Sequence, residues 1–262
     1  MAVVPITKQS FANKRFKPSL TYHFASRDVL APLVLLELNQ AVLSLPIVFT
    51  KVEGQLILAA LQGSGQPKNL FVAPDGRWIG RYLPFCYRFR PFSLAPVKSG
   101  EQVLCCDDSS DLISDIEGQP FFDQQGAPSK ELAAIAQLLG QHAQSRLVTL
   151  KLCHLLEKHG LIVSCPIKVK AQESDNQITL GGLFCIDEKR FSTLSAEELA
   201  SLNQAGAFPL IYGQLLSMQH VSILGELGKV HQALAQRTSA SVEQEIDLTF
   251  SLDDSRITFE GL

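Results

Sequence analysis

The chain has no unbroken apolar run of membrane length, which excludes a simple helical membrane span. The closest window, VLAPLVLLELNQAVLSLPIVF at residues 29 to 49, carries Glu37, Asn39 and Gln40 at its centre and Pro32 and Pro46 near its ends. Basic excess is missing too: 23 Lys and Arg against 26 Asp and Glu give a net charge of -3, which argues against bulk affinity for nucleic acid. The N-terminal MAVVPITKQSFANKRFKPSL lacks the basic-then-apolar order of a secretory signal, so a cytoplasmic location is expected. None of the six cysteines stands in a C-x-x-C pair or at zinc-finger spacing with histidine, so reduced, buried thiols are expected. In QVLCCDD, Cys105 and Cys106 point to opposite strand faces, which predicts at most one of them in the core, and Asp107 and Asp108 beside them oppose a reactive thiolate.

Catalytic signatures are equally scarce. There is no phosphate loop, no nucleophile elbow and no dinucleotide fingerprint. His154 and His159 stand five apart, off the i,i+4 spacing that places two ligands on one helix face, and no cofactor or metal is expected. The adjacent acids Asp107/Asp108, Glu197/Glu198 and Asp253/Asp254 read as solvated turns. An enzyme is therefore the less favoured reading.

What is present is a globular composition, 46% hydrophobic and 19% charged, with enough chain for a substantial core. Residues 1 to 26 read as an extended, basic-aromatic arm. Helical spacing runs from Arg27 to Ser44, ended by Pro46. PIVFTKV and QLILAAL flank Glu53-Gly54 as a hairpin. Residues 107 to 128 are acidic and turn-rich. Ser129 caps a helix that reaches Lys158 and ends at Gly160, with Gly140 as a site for a break. LIVSCPIKVKAQ and ITLGGLFCID make a second hairpin around ESDNQ. Ser195-Ala-Glu-Glu198 is a capping box, a further helical stretch spans about Phe208 to Arg237, and EIDLTFSLDDSRITFEGL reads as a last hairpin.

The fold class expected is therefore α+β: two helix-plus-hairpin units in one domain of residues 1–262, with related halves at about 27–106 and 129–262. Both hairpins begin on Pro-Ile, at Pro46-Ile47 and Pro166-Ile167, and two origins stay open, a pseudo-duplication or the commonness of helix-then-hairpin.

One stretch concentrates chemistry. From Phe71 to Phe92 the chain places seven aromatics among Arg77, Arg81, Arg88 and Arg90, with Pro74, Pro84 and Pro91 excluding a continuous helix or a central strand. Two readings stay open for it, an aromatic packing hub and a surface for a peptide or protein partner. The candidate contact residues are Arg77, Trp78, Arg81, Tyr82, Arg88, Arg90 and Phe92, with no nucleic-acid partner expected.

This stretch also carries a resemblance. Y-x-F-A at Tyr22 to Ala25, Glu37, P-I-V-F at 46 to 49, N-L-F-V at 69 to 72 and D-G-R-W-I-G at 75 to 80 resemble the SapC-like family of bacterial proteins. P-F-F-D-x-x-G-x-P-S at 120 to 129, F-C-I-D-E-x-R-F at 184 to 191 and Q-L-L-S-M at 214 to 218 extend the likeness. Members are often encoded beside TonB-dependent receptors and flavin halogenase-like or cupin-like oxygenases. The resemblance therefore implies a non-enzymatic accessory protein of an uptake or protein-modification system. Its name implies the alternative, a surface-layer (S-layer) protein exported without a cleaved signal. It brings no catalytic residues with it.

Overall fold

The arm expected at the N-terminus folds back instead. In the computed structural model, which describes residues 3–96, 102–170, 177–234 and 236, strand β1 (Val3–Pro5) leads to a single helical turn, α1 (Lys8–Phe11), whose Thr7 hydroxyl accepts the Ser10 N–H at 3.2 Å. Strand β2 (Arg15–Phe16) follows, and Phe11 and Phe16 are both buried. Their rings are the reason: a segment with two core phenylalanines loses too much by staying in water.

Residues 27–44 also depart from expectation. Strand β3 (Leu30–Pro32), a 3-10 turn at Leu35–Glu37 and the one-turn helix α2 (Leu38–Ala41) replace a continuous helix. The run is apolar on nearly every side, so it offers no polar face to water, and Pro32 can sit at a sheet edge without losing a ladder bond. Strands β4 (Ile47–Val52) and β5 (Gln55–Leu61) form the expected hairpin, with Val52 opposite Gln55. Glu53 and Gly54 both have positive φ, 51° and 80°, the requirement of the tight two-residue turn that matches strand twist.

Strand β6 (Phe92–Pro96) pairs with β7 (Gln102–Asp107), and the short strands β8 (Ile113–Ser114) and β9 (Gln119–Pro120) lie on either side of β2. Strand β7 sits between β1 and β6, and Cys105 and Cys106 are both buried, against the expectation of one, although only Cys106 joins the aromatic cluster of Phe11, Phe16 and Phe92. Burial, then Asp107 and Asp108, push the Cys106 thiol up to about 12.

Helix α3 (Lys130–Lys158) is unbroken through Gly140. Ser129 caps it through the Leu132 N–H, and it closes in a paired-bond C-cap: Gly160 N–H reaches the Glu157 carbonyl and Leu161 N–H the Leu156 carbonyl. Strands β10 (Ile162–Ser164), β11 (Ile167–Lys170), β12 (Gln177–Leu180) and β13 (Leu183–Ile186) form one hairpin interrupted where Cys165-Pro166 faces Gly181-Gly182. Helices α4 (Glu188–Ser192), α5 (Ala196–Gln204) and α6 (Phe208–Ser217) follow, α5 opened by the expected Ser195–Glu198 capping box. Residues 218–221 are 3-10 and 222–234 helical, while the expected C-terminal hairpin lies outside the described residues.

The chain is thus mixed α+β with antiparallel sheets. The largest sheet has the order β10-β13-β4-β5-β3, so the strands of both expected halves share it through β13 and β4. One face of that sheet carries Phe49, Leu56, Leu58 and Ala60 into the main core. Helix α6 closes that core, where Gln214 donates to the Ile47 carbonyl at 3.1 Å and accepts the Ile186 N–H at 3.0 Å. A second core gathers Phe11, Phe16, Phe92, Cys106, Phe121 and Leu132. Helix α3 spans the two, lending Leu132 to one and Leu152, Cys153 and Leu156 to the other.

Candidate functional site

Residues 69–92 bridge the same two cores. Phe71, Tyr82 and Tyr87 belong to the main core and Phe92 to the second. The Asp75-Gly76 turn sets the path: Asp75 accepts the Arg77 N–H, and a side chain at Gly76 would meet the His23 ring at 2.6 Å. Trp78 then stacks on Phe71, centroids 5.4 Å apart and planes 17° apart, and its indole donates to the Tyr82 carbonyl at 3.0 Å. The aromatics face inward.

Beneath them lies Glu37, only 5% exposed. Its Oε2 accepts the Tyr82 hydroxyl at 2.8 Å and the Phe85 N–H at 2.9 Å, and its Oε1 accepts the Val34 N–H at 3.1 Å. Three donors pin one carboxylate between the turn that carries it and the arginine-rich segment. Burial, and then the Glu37 charge, push the Tyr82 phenol above its usual range, so it stays a donor. Nearby, the Tyr87 hydroxyl lies 2.9 Å from Gln62 Oε1 and 3.1 Å from Asp28 Oδ2, its one proton placed between two acceptors, tying the segment to β5's end and to the loop before β3.

The arginines go the other way. Arg77, Arg81 and Arg88 are exposed and Arg90 is half-buried. Arg77 pairs with Asp75 at 2.6 Å. Arg88 lies 4.7 Å above the Tyr82 ring while its Nε donates to the Leu83 carbonyl, and Arg90 lies 4.6 Å above the Phe24 ring. A guanidinium held over a ring loses rotamer freedom in advance and keeps its outer N–H groups for a carboxylate. Of the seven residues singled out in the sequence, Tyr82 and Phe92 are buried and Trp78 half-buried, so the arginines are the groups the fold presents to solvent.

Sequence reasoning gave Glu37 no role at the site and passed over His142 and Arg146. The signal for Glu37 was a lone carboxylate in the most apolar window of the chain; for the other two it was a polar pair at i,i+4 on one helix face. The His142 ring stacks on Phe85 at 4.1 Å and 8°, with Nε2 3.8 Å from Glu37 Oε1. That separation is too long for a hydrogen bond, and the buried Nε2 has no hydrogen-bond partner among the described residues. Arg146, one turn on, is exposed and makes no ion pair among the described residues. The two side chains divide a groove of about 250 Å³, lined by Phe85, Cys86, Phe89 and Leu139, from a larger cleft of about 560 Å³ between the sheet and α3.

Cys86, accessible yet crowded by its neighbours, has its thiol pushed up to about 12 by desolvation and by Glu37 and Asp28. At neutral pH it is a thiol rather than a nucleophilic thiolate. Among the described residues no three of His, Cys, Asp and Glu converge as a metal ion would need. No described helix is long and apolar enough to cross a membrane.

A family model described as SapC matches residues 6–224. Neither a curated protein nor a solved structure matches the chain.

Proposed function

We propose, from the premise that this chain belongs to the SapC family, that it is a non-enzymatic accessory protein that engages an acidic peptide or protein partner through Arg77, Arg81, Arg88 and Arg90. The observation that carries this is the division of one segment into an inward aromatic face and an outward cationic one, two of its guanidiniums already immobilised on rings. Such preorganised forks recognise carboxylates with less ordering cost than free side chains. The exposed Leu20 and the partly exposed Phe24 border the loop against which Arg90 rests and add apolar contact area. Support for a non-catalytic reading comes from Glu37 and Tyr82, whose polar atoms are engaged in bonds that hold the segment in place. A cytoplasmic location belongs to the same proposal and is supported by six unpaired cysteines. The partner class implied by the family resemblance is a component of an uptake or protein-modification system.

The test is affinity capture from the native host with the wild type and with the exposed-site variants Arg81→Ala and Arg88→Ala. The wild type is expected to recover a partner that the variant carrying both substitutions recovers roughly tenfold less, the loss expected for two exposed ion pairs of about 0.7 kcal/mol each. Equal recovery from all proteins, with unchanged thermal melting, contradicts the proposal.

A further inference from the structure

We propose that the larger cleft binds a single-chain acyl carboxylate, with Arg146 holding the carboxylate and the sheet face holding the chain. This goes beyond the partner surface, which lies on residues 77–90. The cleft exists because α3 bridges two cores. Its first turns are drawn to Leu132's cluster and its last to Leu152 and Leu156, while its middle carries His142, Ser145, Arg146 and Thr149, which do not fill the space down to the sheet. The sheet face beneath is the one that Phe49 and Ala60 do not share: Ile57 stands across from Thr50, and Ala59 across from Pro32 and Val48. Its volume, about 560 Å³, falls in the range of small-ligand sites, roughly 300 to 1,000 Å³.

Two features select the ligand. The first is charge. Arg146 lines the cleft beside His142, whose buried Nε2 lacks a partner, and no carboxylate of the described residues pairs with Arg146. Glu37 is engaged by its three donors, and Glu53, the carboxylate that lines the cleft, stands in the β4–β5 turn beside Lys51, whose partner Glu157 lies about three turns of α3 beyond Arg146, so the two charges mark opposite ends of the cleft. An anionic headgroup completes that end. The second is the state of the backbone. The floor strand β5 is paired on both sides, by β4 and by β3, so it offers no free ladder to an extended peptide. A peptide laid there would desolvate its own amides without partners, whereas a hydrocarbon chain has none to satisfy. Thr149 and Thr50 add no free polarity, since Thr149 accepts the Leu35 N–H and donates to the Ser145 carbonyl, and Thr50 donates to the Gly182 carbonyl. A monoanion with a flexible apolar tail is the chemistry that fits.

The experiment is calorimetric titration of the full chain with dodecanoate and with dodecyltrimethylammonium, both below their micelle concentrations. The wild type is expected to bind dodecanoate saturably at one site and the alkyl cation at least roughly tenfold more weakly. Arg146→Gln, at an exposed position, is expected to weaken dodecanoate by roughly tenfold while leaving the alkyl cation no weaker. Ala59→Phe, which fills the cleft from the sheet side, is expected to abolish both; should that variant fail to fold, Arg146→Gln decides alone. The proposal is overturned if dodecanoate shows no saturable binding or if Arg146→Gln binds it as the wild type does. Binding of an acetylated leucine peptide ending in aspartate in place of dodecanoate overturns it as well, and assigns the cleft to peptide.

Discussion

Replacing Glu37 by alanine is expected to cost about 4 kcal/mol of stability, because three buried donors lose their acceptor together. An unsatisfied buried donor costs about 1–3 kcal/mol, and partial entry of water into the vacated space keeps the sum below three full penalties. Graded variants separate this cause from simple loss of volume. Glu37→Gln retains one acceptor oxygen, which can serve Tyr82 and Phe85, but turns an amide NH2 toward the Val34 N–H; about 2 kcal/mol is expected. His142 Nε2 lies 3.8 Å from Oε1, so it offers a poor alternative partner without movement. Tyr82→Phe removes a single donor and is expected to cost about 1 kcal/mol. Denaturant unfolding of the series checks the order alanine, glutamine, then Tyr82→Phe. If Glu37→Gln and Glu37→Ala were equally mild, the carboxylate would not be the pin.

Phe121→Ala is expected to cost about 3–5 kcal/mol, as for other fully buried aromatic truncations, and to act unevenly across the molecule. Phe121 lies 4.8 Å from the Phe11 ring, 5.1 Å from Phe16 and 5.9 Å from Phe92, and so joins three separate segments of the small core. With six buried residues that core has little reserve. Amide exchange is therefore expected to quicken first at β1 and β7, where the Ile6 N–H donates to the Leu104 carbonyl, while β4 and β5 keep their protection. Uniform acceleration across both sheets would show the two cores to be one cooperative unit.

Elements set by neighbouring residues were legible in the sequence. The Glu53-Gly54 hairpin, the Ser129 cap, the Gly160 stop and the Ser195–Glu198 box all appear where their local chemistry places them. What local chemistry does not reach follows from partners distant in the chain. The spacing over 27–44 resembles a helix stripe, yet Leu30 to Pro32 are claimed by a ladder with Leu61 to Ala59, a partner about 30 residues away. Gly140 is a weak point worth about 1 kcal/mol, and anchoring of α3 in two cores outweighs it. In the arginine-rich segment, composition showed that aromatics and cations are concentrated but not how they divide. That division depends on Glu37, far away in the chain, drawing Tyr82 and Phe85 inward and leaving Arg88 to lie on the outer face of the Tyr82 ring. His142 and Arg146 carry no local signal of a site, because their relevance comes from what the middle of α3 leaves unfilled.

The most direct measurement of the proposed partner surface is phenylglyoxal footprinting of arginines by mass spectrometry, on the free chain and on the complex captured from the host. In the free chain Arg77, Arg81 and Arg88 are predicted to react faster than Arg90, following their exposure. In the complex Arg81 and Arg88 are predicted to be protected while Arg15 and Arg190, on other elements, react as before. Unchanged labelling of Arg81 and Arg88 in the complex, with protection appearing at Arg15 or Arg190, would contradict the account.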